Sequence, residues 1–135
     1  MLTREQLQAV EIKRVYDVIT LPNPDRSNPE PVEVRIQQLY SDEYIDLIDS
    51  LTDDEGNSIK WRSKNMGSLM CVRCWVDEDG NQVLIDEDVK ADWWKKQSPA
   101  FVTEFITKVR AFNKVGVVGN GVGTAVKNSE ETDSD

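Results

Sequence analysis

Polar and apolar positions alternate most cleanly from Val32 onward. Val34 and Ile36 fall on one face and Glu33, Arg35 and Gln37 on the other, which predicts a half-buried strand. Its expected partner is the stretch Ile12 to Leu21, rich in β-branched and aromatic side chains. Pro22, Pro24, Pro29 and Pro31 lie between them in a polar setting, and proline has no N–H to give a ladder. The pair therefore reads as an antiparallel hairpin with a long loop. Upstream, Thr3 and Gln6 have capping-box spacing, which predicts a short helix near residues 4–10.

Beyond residue 40 the apolar period changes from two to 3.6. Ser41 stands as an N-cap, Asp42 and Glu43 complement the first-turn dipole, and Tyr44, Ile45, Ile48 and Leu51 recur at helical spacing. A helix from 42 to about 52 follows, ended by Asp53-Asp54-Glu55-Gly56-Asn57, where Gly56 and Asn57 tolerate a left-handed backbone. The stretch from Ser63 to Val76 supports two readings. Met66, Leu69, Met70 and Arg73 form a helical row, whereas Met70–Val76 and Val83–Ile85 can pair as strands about Asp79-Gly80-Asn81; length slightly favours the helix. Asp86-Glu87-Asp88 opens another helix, expected to stack Val89 and Trp93 one turn apart and to stop before Ser98. Ser98-Pro99 opens the last, with proline at the first helical position. Phe101, Phe105, Val109 and Phe112 then give the clearest amphipathic stripe in the chain.

After Asn113 the chain turns to Gly116, Gly119, Gly121 and Gly123 among small residues, then to Glu130, Glu131, Asp133 and Asp135. Nothing there can bury a core, so a mobile tail is expected. The fold class that results is α+β and mainly α-helical: an N-terminal long-looped β-hairpin followed by about four helices. One globular domain is expected over residues 1–113, with a flexible glycine-rich then acidic tail over 114–135.

Composition narrows the function. A length of 135 residues fits one domain, and 39% hydrophobic with 30% charged residues is a soluble globular composition. No apolar run reaches spanning length and no apolar signal region follows Met1, so a cytoplasmic protein with no membrane partner is expected. Sixteen basic against 25 acidic residues give a net charge of −9, which disfavours nucleic acid. The absence of histidine removes the commonest general base and the commonest metal ligand. No catalytic residue, cofactor or metal is expected.

Several motifs reduce to structural readings. Cys71-Val72-Arg73-Cys74 has redox or half-zinc spacing, but the chain holds no further cysteine or histidine to complete four ligands. The pair sits in an apolar run with Met70 and Trp75 and reads as two structural thiols; a small redox protein ranks far below. Aligning Gly80 with the glycine of a calcium loop puts Trp75 at the first ligand position and Asp86 at the last, so the match fails. The echo between Asp54-Glu55-Gly56-Asn57 and Glu78-Asp79-Gly80-Asn81 is too short to mean duplication.

Three features point outward. Acidic residues at 42, 43, 46, 49, 53, 54 and 55, with no base among them, serve solubility or guide a basic partner. Trp93 and Trp94 lie roughly 100° apart on a helix, so they do not enter one core pocket together, and an exposed indole is an interface anchor. Phe101, Phe105 and Phe112 read as core, or as a subunit or client contact if the domain leaves them uncovered.

The order of these elements resembles the tail assembly chaperones of long-tailed bacteriophages, over roughly residues 30–115. Val76-Asp77-Glu78-Asp79-Gly80-Asn81, Leu84-Ile85-Asp86-Glu87-Asp88-Val89 and the helix end Val109-Arg110-Ala111-Phe112-Asn113 carry it. Cys71, Cys74 and Trp75 depart from the family's aliphatic helix before the acidic turn, and Trp93-Trp94 is unusual. The resemblance implies a helical 63–76 segment and a mainly helical, oligomer-forming, non-enzymatic protein. Such proteins coat the tape-measure protein, keep its apolar helices from aggregating, help tail-tube subunits polymerise around it in the host cytoplasm, and are absent from the mature virion. Many are made in two lengths by ribosomal frameshifting, and the stretch from Gly116 would suit a linker to an extension. The alternative is a permanent structural component of a phage tail or head completion complex.

Overall fold

The computed structural model describes residues 1–114. Thr3 accepts the Gln6 N–H while Gln6 Oε1 accepts the Thr3 N–H, closing a capping box over a short helix α1 (Arg4–Gln8). β1 (Tyr16–Leu21) and β2 (Val32–Gln37) pair antiparallel from Tyr16↔Gln37 to Leu21↔Val32. That register puts Ile19 and Leu21 on the same face as Val34 and Ile36. β3 (Trp75–Val76) adds to β2, giving the sheet order β1-β2-β3. Residues 22–31 connect β1 to β2, and the Ser98 N–H ties them down by donating to the Pro24 carbonyl at 2.8 Å.

The helices are α2 (Ser41–Asp49), α3 (Lys60–Lys64), α4 (Met66–Cys74), α5 (Asp92–Lys95) and α6 (Pro99–Asn113), with a 3-10 turn over Asp86–Lys90. The architecture is α+β, with six α-helices among the described residues: α1 before the hairpin, and five after it where about four were expected. Two breaks account for part of the excess, at Asn65 between α3 and α4 and at Ala91, whose extended backbone (ψ 147°) separates the 3-10 turn from α5. The tail expected over 114–135 lies, Lys114 apart, outside the described residues.

The core lies between the sheet and two crossing helices. α4 buries Leu69, Met70, Cys71, Val72 and Cys74, so it is apolar nearly all round. α6 brings Phe101, Phe105 and Val109 against it. The Phe105 ring meets Phe101 and Trp75 edge to face, each at 5.6 Å between centroids. Gly67 permits the close approach of α4 and α6, since a Cβ there would lie 2.9 Å from Ile106 Cδ1.

Four expectations are corrected. Cys74 ends the helix of the 63–76 segment, and Trp75–Val76 is extended, with the Val83 N–H donating to Trp75 O; each reading holds for its own part. The N-cap of α2 is Tyr40 rather than Ser41, because Glu43 reaches back to accept the Tyr40 N–H at 2.7 Å. Leu47 is the buried residue of α2, with Tyr44 and Leu51 beside it, while Ile45 and Ile48 face out. The break at Ala91 rotates the indoles, so Val89 is buried with Trp94 and not with Trp93.

The short echo noted in the sequence is a repeated turn. Asp53 N–H donates to Asn57 O and Asp77 N–H to Asn81 O, each at 2.8 Å. Each aspartate Oδ1 accepts two backbone N–H groups, from Glu55 and Asn57 in one turn and Asp79 and Asn81 in the other. Gly56 and Gly80 share φ +83°. The left-handed glycine and the Asx bonds explain the shared letters without any duplication.

Candidate functional site

A cleft of about 600 Å³ opens where β2, α2, α4 and the start of the 3-10 turn meet. Arg73, in the last turn of α4, forms its ionic centre. Its Nε and Nη2 donate to Asp86 Oδ1 and Oδ2 at 3.2 and 2.8 Å, and its Nη1 donates to Asp46 Oδ2 at 2.9 Å. Arg62 Nη1, from α3, donates to the same Asp86 Oδ2 at 2.9 Å. The Asp86 side chain is only 15% exposed, so burial raises its pKa, but hydrogen bonds from Arg73 and Arg62 outweigh that and hold it below the ordinary carboxylate value. Hydrogen bonding to Asp86 in turn raises Arg73.

The far wall is pinned separately. Arg14 donates to both oxygens of Glu43, at 2.6 and 2.8 Å, and lies 4.1 Å from the centroid of the Tyr40 ring. The paired guanidinium holds the Glu43 carboxyl below its usual range. Leu39, Asp42, Glu43 and Asp46 form this side of the cleft, with Gln37 and Gln82 on β2 and beyond β3. Sequence reading placed Arg73 in an apolar row and missed this node. A lone arginine at an inward helical position was the available signal, because such a charge needs a buried partner.

The residues singled out in the sequence separate widely. Trp93 is 48% exposed and stacks edge to face on Trp94 at 6.2 Å. Trp94, in contrast, is 5% exposed and donates its indole N–H to Ser68 Oγ at 3.3 Å. Phe101 and Phe105 are fully buried, and Phe112 is half-buried against the same core. Trp94, Phe101 and Phe105 therefore serve this domain's own interior rather than a contact surface. The reason is that α4 offers an apolar face wide enough to cover the α6 stripe. Cys71 and Cys74 are free and buried, and burial lifts the Cys74 thiol to about 12 and Cys71 well above the ordinary value.

Other apolar side chains are exposed where the sequence gave no warning. Leu2, Leu7, Val10 and Ile12 project from the segment around α1, which buries nothing. Ile45 and Ile48 do so from α2. Among the described residues no helix is long and apolar enough to cross a membrane. No family model, characterised protein or solved structure matches this chain.

Proposed function

We propose that the chain is a tail assembly chaperone of a long-tailed phage, which binds the tape-measure protein, keeps it soluble and promotes tail-tube assembly around it in the host cytoplasm. The reading comes from the order of sequence elements between residues 30 and 115. The observation that carries it furthest is Trp93, an indole 48% exposed on a domain whose net charge is −9. A holdase works through accessible apolar groups on a charged, soluble body, and it needs no reacting group. Exposed Ile45, Ile48 and the α1 segment add apolar surface for self-association or client contact.

Co-expression with a tape-measure protein tests this directly. The client is expected in the soluble fraction as a complex with this chain, and Trp93→Glu is expected to reduce its recovery. A client equally insoluble with and without the chain sinks the assignment. The chain is further expected to be missing from purified mature particles; finding it there transfers the assignment to a permanent structural part.

A further inference from the structure

We propose that the N-terminal arm, residues 1–13, docks on the Ile45–Ile48 face of α2 in a second copy of this chain, each copy giving its arm to the other. The proposal does not depend on the phage assignment. Among the described residues no hydrogen bond or ion pair joins residues 1–13 to the rest of the chain. The first ties come after them: Arg14, which donates to Glu43 and to the Gln38 carbonyl, and Val15 O, which accepts the Gln38 N–H. The arm nevertheless has order of its own. A capping box closes α1, and Leu2 and Leu7 stand just before the cap and at the fourth helical position, the two positions of a hydrophobic staple. A helix of five residues falls well short of the roughly 12–15 that are marginal alone in water, so α1 needs packing as well as caps. The lone chain supplies none, and Leu2, Leu7, Val10 and Ile12 are 50% to 70% exposed.

The acceptor is on α2. Ile45 and Ile48, 54% and 38% exposed, lie three residues apart and so adjoin on the helix surface, while α2 meets the core through Leu47. Asp42 and Asp49, three residues before Ile45 and four after it, flank the pair and repel an acidic partner. The arm escapes that repulsion. Arg4 and Lys13 balance Glu5 and Glu11, whereas the chain as a whole carries −9.

A second copy is the occupant that fills both faces by one operation. Each chain carries one arm and one acceptor, so exchange about a two-fold axis covers two arms and two α2 faces and closes the assembly at a dimer. An unrelated protein would need a separate complement to each. The root of the arm also suits an exchange, since Arg14 holds it to Glu43 in the first turn of the same helix that bears the acceptor.

Light scattering of the full chain across a concentration series tests the exchange. The parent is expected to reach twice the chain mass. Leu7→Glu and Ile45→Glu are each expected to weaken the dimer about a hundredfold, because a homodimer of either variant loses two contacts at about tenfold apiece. Mixing the two variants restores one contact, the intact arm of the Ile45→Glu chain on the intact α2 of the Leu7→Glu chain. The mixed pair is therefore expected to form about tenfold more tightly than either variant alone, read by co-elution with a C-terminal affinity tag on one of them. Val83→Glu, at a residue 47% exposed elsewhere on the surface, is expected to keep the parent mass. Removal of residues 2–13 reads the arm without any substitution and is expected to leave a monomer with an unchanged melting curve, since α1 buries nothing. A parent that stays at one chain overturns the proposal and leaves the arm to its own body or to another protein. So does a dimer that survives the truncation or either variant, or a Val83→Glu effect as large as theirs. A mixture that pairs no better than its components overturns it too, pointing to arm on arm or α2 on α2. None of these outcomes measures client solubility, so this proposal and the phage assignment fail separately.

Discussion

Asp86 holds two arginines from different helices, Arg62 of α3 and Arg73 of α4, with a side chain only 15% exposed. Removing that carboxylate leaves Arg73 with only the exposed Asp46 and Arg62 with only the exposed Glu87 as ionic partners, so Asp86→Ala is expected to cost about 3 kcal/mol in urea unfolding. Asp46→Ala, on a side chain 76% exposed, should cost less than about 1 kcal/mol. The folded pKa values of Asp86 and Glu43 lie below their ordinary values of 3.8 and 4.5. Depressed carboxyls contribute fully above the ordinary range and lose that contribution as pH falls through the folded value. Urea midpoints should therefore hold steady near neutrality and drop below about pH 4, less steeply in Asp86→Asn. The thiols run the other way, because burial raises both. Their contribution is complete below the ordinary 9.0 and fades as pH rises towards the Cys74 value of about 12. Thiol-reactive dye should label neither cysteine until the chain unfolds.

At the scale of elements, α6 and β1 show opposite fates. The α6 stripe is absorbed by α4, so Phe105→Ala is expected to cost about 3–5 kcal/mol, measured by chemical denaturation. β1 remains an edge strand of the sheet. The Gln38 N–H donates to Val15 O, which by antiparallel alternation turns the backbone groups of Tyr16, Val18 and Thr20 towards the free edge. Two of those groups are occupied: Asp17 Oδ1 accepts the Val18 N–H at 2.9 Å, and Lys108 Nζ donates to Thr20 O at 2.7 Å. Such plugs discourage another strand from adding to the edge. Replacing both, with Asp17→Ala and Lys108→Ala, should raise the mass seen by light scattering at high concentration while the circular dichroism stays the same. The stripe and the alternation of β2 were legible as local periods; the guards were not, since Lys108 and Thr20 are joined only by folding.

For the whole molecule, Trp93 and Trp94 divide one aromatic pair between interior and surface. Trp94→Ala removes a packed indole and should cost about 3 kcal/mol or more, whereas Trp93→Ala should change stability by less than about 0.5 kcal/mol. If Trp93 anchors association, that same variant should lower the mass measured by light scattering across a concentration series. A mass that stays at one chain throughout, for the parent protein, counts against self-association. A net charge of −9 opposes the meeting of like-charged copies, so self-association is expected to strengthen as salt rises, read by light scattering across a salt series.

Local chemistry determined what could be read in advance. The capping box at Thr3, the alternation of β2, the apolar period of α6 and the glycine turns depend on neighbours within a few residues, and the sequence carries those directly. Tertiary structure decided which face of α2 is buried, which indole is covered, and that Arg62, Arg73 and Asp86 meet. Each of those outcomes is a competition for the same core volume or the same buried carboxylate among segments far apart in the chain. The cleft follows from that competition, since its walls come from β2, α2, α4 and the 3-10 turn, which only folding brings together.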